Sequence, residues 1–285
     1  MNVCPKMKDR VIFKYKHMVI KKYKHGYLLF NSFDRIIGKS IDLYGEWCDE
    51  ELKLLDKYLN EGDAIIDAGA NIGTHTVFFA KKVKEKGRVY AFEPQRILFQ
   101  NLCANVSLNW LTNVECCNMA LGKTSRQIIV PYLNYLQRKN FGGLRLGTFR
   151  EGEKIRLEAI DNFKLEKCNL IKIDVEGMEA EVLKGASKTI SKHKPILFVE
   201  NNTEKYSRNI IKYVHKLSYK AYWHIRPYYN KNNYYKNKNE LFKKYGNEIN
   251  MICFSKNSRF SCNLPRVEGV NDTGVNAMKR MKIHQ

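Results

Sequence analysis

In this 285-residue chain the stretch Asp67-Ala68-Gly69-Ala70-Asn71-Ile72-Gly73-Thr74 has the residue types and spacing that most directly suggest ligand chemistry. It follows the apolar run Ala64-Ile65-Ile66 and opens a helical pattern from Thr74 to Val83, the context a nucleotide loop requires. The glycines fall as Gly-x-Asn-x-Gly, not as the Gly-x-Gly-x-x-Gly of a dinucleotide site. Gly69 and Gly73 let backbone come close to a ligand. Asp67 puts a carboxylate at a strand tip, where it opposes a pyrophosphate and welcomes an ammonium. Glu93 closes the next strand, 93 − 67 = 26 residues on, where an acid takes ribose hydroxyls. A ribose joined to an amino-acid group with no phosphate describes S-adenosylmethionine.

With such a cofactor the methyl group is already activated, so the protein has to align an acceptor and remove its proton. Asp174 closes a later strand and Glu176 opens the helix after it, with Val175 between. In an extended link, residues two apart point the same way. Two carboxylates are therefore expected at one edge, one as general base and the other orienting the acceptor or facing the sulfonium. Glu176 equally suits a helix N-terminus, where negative charge is favoured. Glu200 ends another strand on that edge and is a third candidate. His224 follows Tyr222 and Trp223 at a strand tip and could serve as base, although a lone histidine also serves in packing. Arg226, Tyr228, Tyr229 and Asn233 lie in a tyrosine- and asparagine-rich segment that suits a sugar ring, and equally suits stacked bases. Phe141-Gly142-Gly143-Leu144-Arg145 is expected as the opposite wall, and His75 as structural or near the cofactor. No His, Cys or Asp cluster has metal-ligand spacing, so no metal is expected, although Asp174, Glu176 and Glu200 could in principle hold Mg²⁺.

These groups need a scaffold that brings strand tips together. Strand patterns at 64–67, 88–93, 113–119, 170–174 and 195–200 alternate with helical ones at 74–83, 94–108, 176–191 and 204–217. Two more strands are expected at 220–224 and 250–254. The alternation predicts a doubly wound α/β domain with a parallel sheet covered on both faces and ligands at the carboxyl ends of the strands. Residues 1–48 are expected as a β-rich extension, 49–256 as the main domain with a helix at 49–59, and 257–285 as a loose basic tail. Residues 122–160 read as an insertion with short basic strands.

Gly62 to Thr76, Ala91-Phe92-Glu93-Pro94 and Leu170 to Ala186 resemble the FkbM family of S-adenosylmethionine-dependent methyltransferases. Asp42 to Trp47 and Asn118 to Gly122 are weaker echoes. The resemblance covers roughly residues 40–255. It implies a Rossmann-like, seven-stranded methyltransferase sheet whose last strand is antiparallel. It also implies that Asp67, Gly69, Asn71, Gly73 and Thr74 line the methionine end of the cofactor and that Glu93 holds the ribose. Asn118, Met119 and Ala120 would lie near the adenine, and Tyr44, Glu46 and Trp47 would close the pocket from the N-terminal side, with Trp47 as readily ordinary packing. Many members of the family O-methylate sugars of glycans, lipids or natural products, which makes a sugar hydroxyl the expected acceptor.

Composition adds boundaries. Fifty Lys+Arg against 29 Asp+Glu give a net charge of +21, which favours an anionic partner or reflects a coding bias toward Lys, Asn, Ile and Tyr. Nucleic acid is the alternative acceptor, but no Asn-Pro-Pro-Tyr-type signature accompanies it. A protein that binds cofactor or nucleic acid without catalysis is the third reading, opposed by acids at three strand tips. No apolar run approaches the ~18 residues of a membrane helix, and the N-terminus lacks the apolar stretch of a signal peptide. Eight scattered cysteines without a Cys-x-x-Cys pair suggest reduced thiols and a cytoplasmic protein.

Overall fold

The computed structural model describes residues 11–283. The first ten residues of the expected extension and the last two of the expected tail lie outside the described residues. The chain opens with an antiparallel sheet of β1 (Val11–Tyr15), β2 (Met18–Tyr23) and β3 (Gly26–Asn31). One face of β2 and β3 is buried and carries Val19, Tyr23, Leu28 and Phe30, together with Lys21, which pairs with Asp42. Two helices follow, α1 (Ile37–Tyr44) and α2 (Asp49–Asp56). The extension is thus not wholly β.

The α/β unit comprises β4 (Ala64–Ala68), α3 (Thr74–Val83), β5 (Arg88–Phe92), α4 (Arg96–Leu108) and β6 (Val114–Cys117). A small sheet is inserted next, from β7 (Met119–Leu121), β8 (Arg126–Val130) and β9 (Glu153–Glu158) in the order β7-β9-β8. The main unit resumes with β10 (Leu170–Ile173), α5 (Glu179–Gly185), α6 (Ser187–His193), β11 (Ile196–Glu200), α7 (Glu204–Lys216), β12 (Tyr219–Pro227) and β13 (Asn247–Ser255). A last helix, α8 (Gly274–Met281), lies in the segment after 257.

The main sheet has seven strands in the order β12-β13-β11-β10-β4-β5-β6. β4, β5, β6, β10 and β11 run parallel, and β13 enters antiparallel to both β11 and β12. This is the expected architecture with its last strand reversed. The strand order turns between β4 and β10, so their carboxyl ends flank the crevice where ligands bind in such sheets. Strand residues alternate between two cores, as a period of two requires. Ile65, Leu170, Ile196 and Phe198 face α2 and α3, whereas Ile66, Ile171, Leu197 and Val199 face α5, α7 and α8.

Three expectations are corrected in detail. The helix expected over 176–191 is two helices that part at Ala186, whose φ of −108° and ψ of 8° leave the helical region; beside the break an added Cβ on Gly185 would lie 1.9 Å from the Gly122 carbonyl oxygen. The strand expected over 113–119 ends at Cys117, and the chain crosses at Asn118 into the inserted sheet. The segment expected as a loose tail is packed instead. Val267, Ala277 and Met278 are buried in the main core, and Trp223 Nε1 donates to Asp272 Oδ2 at 3.0 Å. Its apolar face spans only two helical turns, too few to stand out among polar neighbours. No helix among the described residues is long and apolar enough to cross a membrane.

Candidate active site

The cleft lies over the junction of β4 and β10. Gly69, with φ +81°, occupies a place where a Cβ would sit 1.8 Å from the Asp174 carbonyl oxygen; only glycine permits that approach. Asn71 is also left-handed, and its Oδ1 accepts from the Ile72 N–H at 2.8 Å, while Gly73 starts α3 with φ +89°. The loop therefore turns tightly and presents Gly69, Ala70, Asn71 and Thr74 to the cleft. Glu93 is buried beside it. Its Oε2 accepts from the Asn71 N–H at 3.0 Å and its Oε1 from the Gln95 N–H at 2.8 Å. Burial pushes its carboxyl up to about 7, against the pull of those two bonds. A second hollow continues from Glu93 along Phe92, Met119, Ala120, Leu144, Leu146 and Val175. An apolar slot next to a buried acid has the chemistry to take an adenine and the ribose attached to it, and the glycine loop on the other side of Glu93 that to take an amino-acid end. The residues present therefore suit S-adenosylmethionine.

Below the loop lies Lys172, a buried lysine on β10. Its Nζ donates to the Gly69 carbonyl at 3.1 Å and pairs with Asp174 Oδ2 at 3.2 Å and Asp67 Oδ1 at 3.5 Å. Burial disfavours its charge, but Asp174 and Asp67 outweigh that and hold the ammonium well above the ordinary lysine value. Asp67 is fully buried and does not line the cleft; its Oδ2 accepts from Thr76 Oγ1 at 2.6 Å. The acid at the strand tip thus faces a lysine, not open solvent.

Asp174, Glu176 and Glu200 all line the cleft, and one carboxylate oxygen from each lies within 4.8 Å of the others. Glu176 adopts φ +54°, so the turn after β10 is less regular than the extended link expected from sequence, yet both acids reach the same space. Burial and the neighbouring Asp174 charge push Glu176 up to about 7. The same two causes carry Glu200 well above the carboxylate range. Glu200 also accepts from Asn202 Nδ2 at 2.6 Å. Oxygens at this spacing could ligate a hard cation.

A further polar cluster forms one side of the cleft. His75 Nε2 lies 3.1 Å from Glu51 Oε2, Asn250 Nδ2 donates to Glu51 Oε1 at 2.7 Å, and Cys48 Sγ lies 3.2 Å from Glu248 Oε2. Burial lowers His75 to about 4 and raises Glu51 to about 7. Glu248 is held well above its usual value, by burial and then by Glu51. Of these residues, His75 and Glu248 line the cleft, as do Trp47 and Tyr228, whose ring centroids are 5.7 Å apart. Gly142 and Gly143 supply the opposite wall together with Asn140.

Other expected site residues are placed elsewhere. Tyr44 and Glu46 are buried and brace the tyrosine-rich segment. Tyr44 Oη bridges the Asn239 carbonyl at 2.6 Å and the Leu241 N–H at 3.1 Å, and Glu46 accepts from Asn230 Nδ2 and the Tyr234 N–H, both at 2.7 Å. Asn233 staples that segment internally, and Tyr229 Oη donates to the Asn237 carbonyl at 3.1 Å. Arg226 opens on a neighbouring cavity lined also by Tyr44, Glu46 and Tyr228. Arg145 sits near the rim and donates to Thr203 Oγ1 at 2.9 Å. Asn118 does not line the apolar slot; its Nδ2 donates to the Glu93 and Pro94 carbonyls at 2.9 and 3.2 Å. His224 and Trp223 are buried in β12, and His224 lies against Phe198 with Nδ1 unpartnered. Burial holds His224 down at about 4, and it does not line the cleft.

Sequence reading assigned no role to Lys172, Glu51 or Glu248. The signal for Lys172 was present, since a charged residue amid Leu170, Ile171 and Ile173 in a strand buried on both faces requires a partner. Glu51 and Glu248 carried no such signal, because their meeting depends on α2 and β13 being neighbours in space.

Residues 67–239 match the family model described as the methyltransferase FkbM domain. The hexuronic acid methyltransferase AglP of Haloferax volcanii is 29% identical over 152 residues, covering 52% of this chain and 59% of that protein. Methyltransferase sdnD of Sordaria araneosa is 29% identical over 154 residues, covering 42% of this chain and 59% of that protein. The match thus spans under two thirds of the length of each relative. Among solved structures, an FkbM methyltransferase from Methylobacillus flagellatus aligns at 20% identity with a TM-score of 0.46, over 67% of this chain and 43% of that one.

Proposed function

We propose that this chain, which belongs to the methyltransferase FkbM family, methylates a hydroxyl group of a sugar-containing acceptor. S-adenosylmethionine is the cofactor, and when bound it supplies a methyl group already activated on a sulfonium. The observation that carries the reading is the meeting of Asp174, Glu176 and Glu200 beside the glycine loop. Glu176, with its carboxyl raised to about 7, is poised near neutral pH as the general base. As the acceptor oxygen gains the methyl group, its proton passes to the Glu176 carboxylate. Glu200, kept protonated, can donate a hydrogen bond to the acceptor. Asp174 presents the negative charge that favours a sulfonium or an ammonium nearby.

The glycine loop and Thr74 would hold the amino-acid end, Glu93 the ribose, and Met119 with Ala120 the adenine. Trp47 and Tyr228 offer aromatic faces for one side of a sugar ring, opposite Asn140, Gly142 and Gly143. The working unit in this reading is residues 49–256. The name of the AglP relative supports a sugar acceptor. A polynucleotide fits the cleft less well despite the net charge of +21, since carboxyl groups dominate its lining and Lys172 is the one lysine or arginine among the described residues that lines it to meet a phosphate. The test is to incubate the protein with methyl-labelled S-adenosylmethionine and fractionated cell extract. Label is expected in the glycan or glycolipid fraction in an alkali-stable ether linkage, whereas label in RNA alone would overturn the sugar assignment.

A further inference from the structure

The sheet β1-β2-β3 has one covered face and one open face. Val19, Tyr23, Leu28 and Phe30 fill the covered one. Strand register sets Phe13 opposite Ile20, Ile20 opposite Leu29, and Tyr15 opposite Met18, so these five side chains share the open face. Among the described residues none of the five belongs to a buried apolar cluster or packs against one. Phe13 and Tyr15 are 54% and 62% exposed, and Ile12, at the irregularity in β1, is 60% exposed. A contiguous apolar surface of this kind marks a contact. Its charge has one sign, for the chain has no Asp or Glu from Val11 to Phe33. Lys21 and Lys24 are engaged by Asp42 and Asp49. Lys14, Lys16 and Lys22 are exposed and form no ion pair among the described residues.

The face runs on to the mouth of the cleft. His17, in the turn between β1 and β2, stacks on Phe33 with ring centroids 5.4 Å apart, and the Arg138 guanidinium lies 5.7 Å from the centre of the same ring. The Lys139 N–H donates to the Phe33 carbonyl at 3.2 Å and the Arg35 N–H to the Lys139 carbonyl at 2.9 Å. Arg35, Arg138 and Lys139 are exposed, and their chain neighbours Ile36 and Asn140 line the cleft. The acid of this stretch, Asp34, is buried and accepts from the Ile36 N–H at 2.9 Å.

We propose that this face docks on an anionic lipid bilayer, with Ile12, Phe13 and Tyr15 entering the headgroup region and the exposed lysines meeting lipid phosphates. A bilayer takes aromatic and aliphatic side chains alike, while long lysine stems lie along it with their charges in water. A polynucleotide gives Phe13 and Tyr15 bases to stack on but leaves Ile12, Met18, Ile20 and Leu29 nothing to bury against. A second copy seated face to face would set these lysines against their own counterparts, like charge against like. Docked in this way, the cleft opens beside the bilayer through its basic rim. A sugar carried on a lipid suits that position, a consequence that rests on the sugar reading above; the docking itself does not.

The experiment sediments the full chain, without cofactor, with vesicles of phosphatidylcholine alone or with about one third phosphatidylglycerol. The wild type is expected to sediment with the anionic vesicles, to stay in solution with the neutral ones, and to be released as salt is raised. F13S/Y15S leaves the charge unchanged and is expected to weaken binding by about tenfold or more. K14E/K16E is expected to weaken it by about tenfold or more. K188E/K192E alters net charge by the same amount at exposed positions on α6 and is expected to bind within about threefold of the wild type, because only charges near the surface count. Thermal melts confirm that each variant folds; if F13S/Y15S does not, the contrast between the two charge-reversed variants decides. Equal losses in those two variants would show attraction by total charge and overturn the proposal, as would unchanged binding in a folded F13S/Y15S. A wild-type chain that ignores anionic vesicles overturns it outright, whether the face then proves to hold RNA or to join two copies into a dimer that F13S/Y15S dissociates. Methyl transfer to a soluble sugar acceptor is assayed separately without vesicles, so failure of the sugar reading and failure of docking are told apart.

Discussion

Replacing Gly69 with alanine tests whether the seam between β4 and β10 is as tight as it looks. Two costs add. The first is conformational, because φ at Gly69 is +81° and an L-residue held there costs about 1–2 kcal/mol. The second is steric, since the new Cβ would lie 1.8 Å from the Asp174 carbonyl oxygen, when real Cβ contacts essentially never fall below 3.0 Å. Relieving that requires the loop and the β10 tip to part by about 1.2 Å (3.0 − 1.8), and backbone cannot rotate aside as a side chain would. Parting breaks the Asp174 N–H bond to Ala68 and stretches the Lys172 contact with Gly69. A buried polar group left unmade costs about 1–3 kcal/mol, so the steric part amounts to about 1–3 kcal/mol for the broken bond. Gly62 is the control. Its φ is +83°, but its nearest neighbour to a new Cβ is 3.8 Å away, so Gly62→Ala carries the conformational cost alone. By thermal denaturation Gly69→Ala should melt lower than Gly62→Ala by about 2–12 °C, at ~2–4 °C per kcal/mol. By calorimetry Gly69→Ala should lose at least tenfold in S-adenosylmethionine affinity, with Gly62→Ala unchanged. Equal melting temperatures and equal affinities for the two variants would refute the argument.

Glu176→Gln keeps shape but not basicity, and methyl transfer should fall by about 10²–10⁴-fold with cofactor affinity within threefold of the wild type; single-turnover transfer beside calorimetry separates the two. His224 titrates at 6.5 when unfolded and at about 4 in the fold, so the unfolded chain binds the extra proton between those values. Its stability contribution is complete above pH 6.5 and falls by up to about 3 kcal/mol as pH drops through 4. In urea titrations at pH 7 and pH 4, His224→Phe should lose less stability on acidification than the wild type does, by about that amount, and an identical loss in both would contradict it. Asn105 is fully buried in α4; its Nδ2 donates to the Leu29 and Ile72 carbonyls at 3.0 and 2.7 Å, and its Oδ1 accepts from the Leu29 N–H at 2.6 Å. Asn105→Ala leaves these backbone groups unpaired and should cost about 2–4 kcal/mol, measured by chemical denaturation, with a melt no lower than wild type counting against the role.

Much of the site was already present in the sequence because its chemistry is carried by short contiguous segments. Asp67 to Thr74, Glu93 and Asp174 to Glu176 each sit at the end of a strand whose apolar run marks it, and a parallel sheet brings such ends to one edge whatever the details of packing. Strand–helix alternation likewise determined the doubly wound α/β class, while the seven-stranded sheet with its reversed last strand followed from the family resemblance. Tertiary structure decided what each acid faces. Asp67 turned inward to Lys172, Tyr44 and Glu46 became braces for residues 230–241, and His224 went into the core against Phe198. Glu51, Glu248 and His75, up to 248 − 51 = 197 residues apart in the chain, meet only because β13 folds back antiparallel beside β11 and α2 packs near α3. Charge followed the same division. The +21 is a property of composition, yet the cleft is lined by Glu93, Asp174, Glu176, Glu200 and Glu248 with Lys172 as their one lining cation among the described residues. Net charge sums over the surface, whereas a carboxyl's ionisation depends on the few groups within several ångströms of it, and only the folded chain selects those.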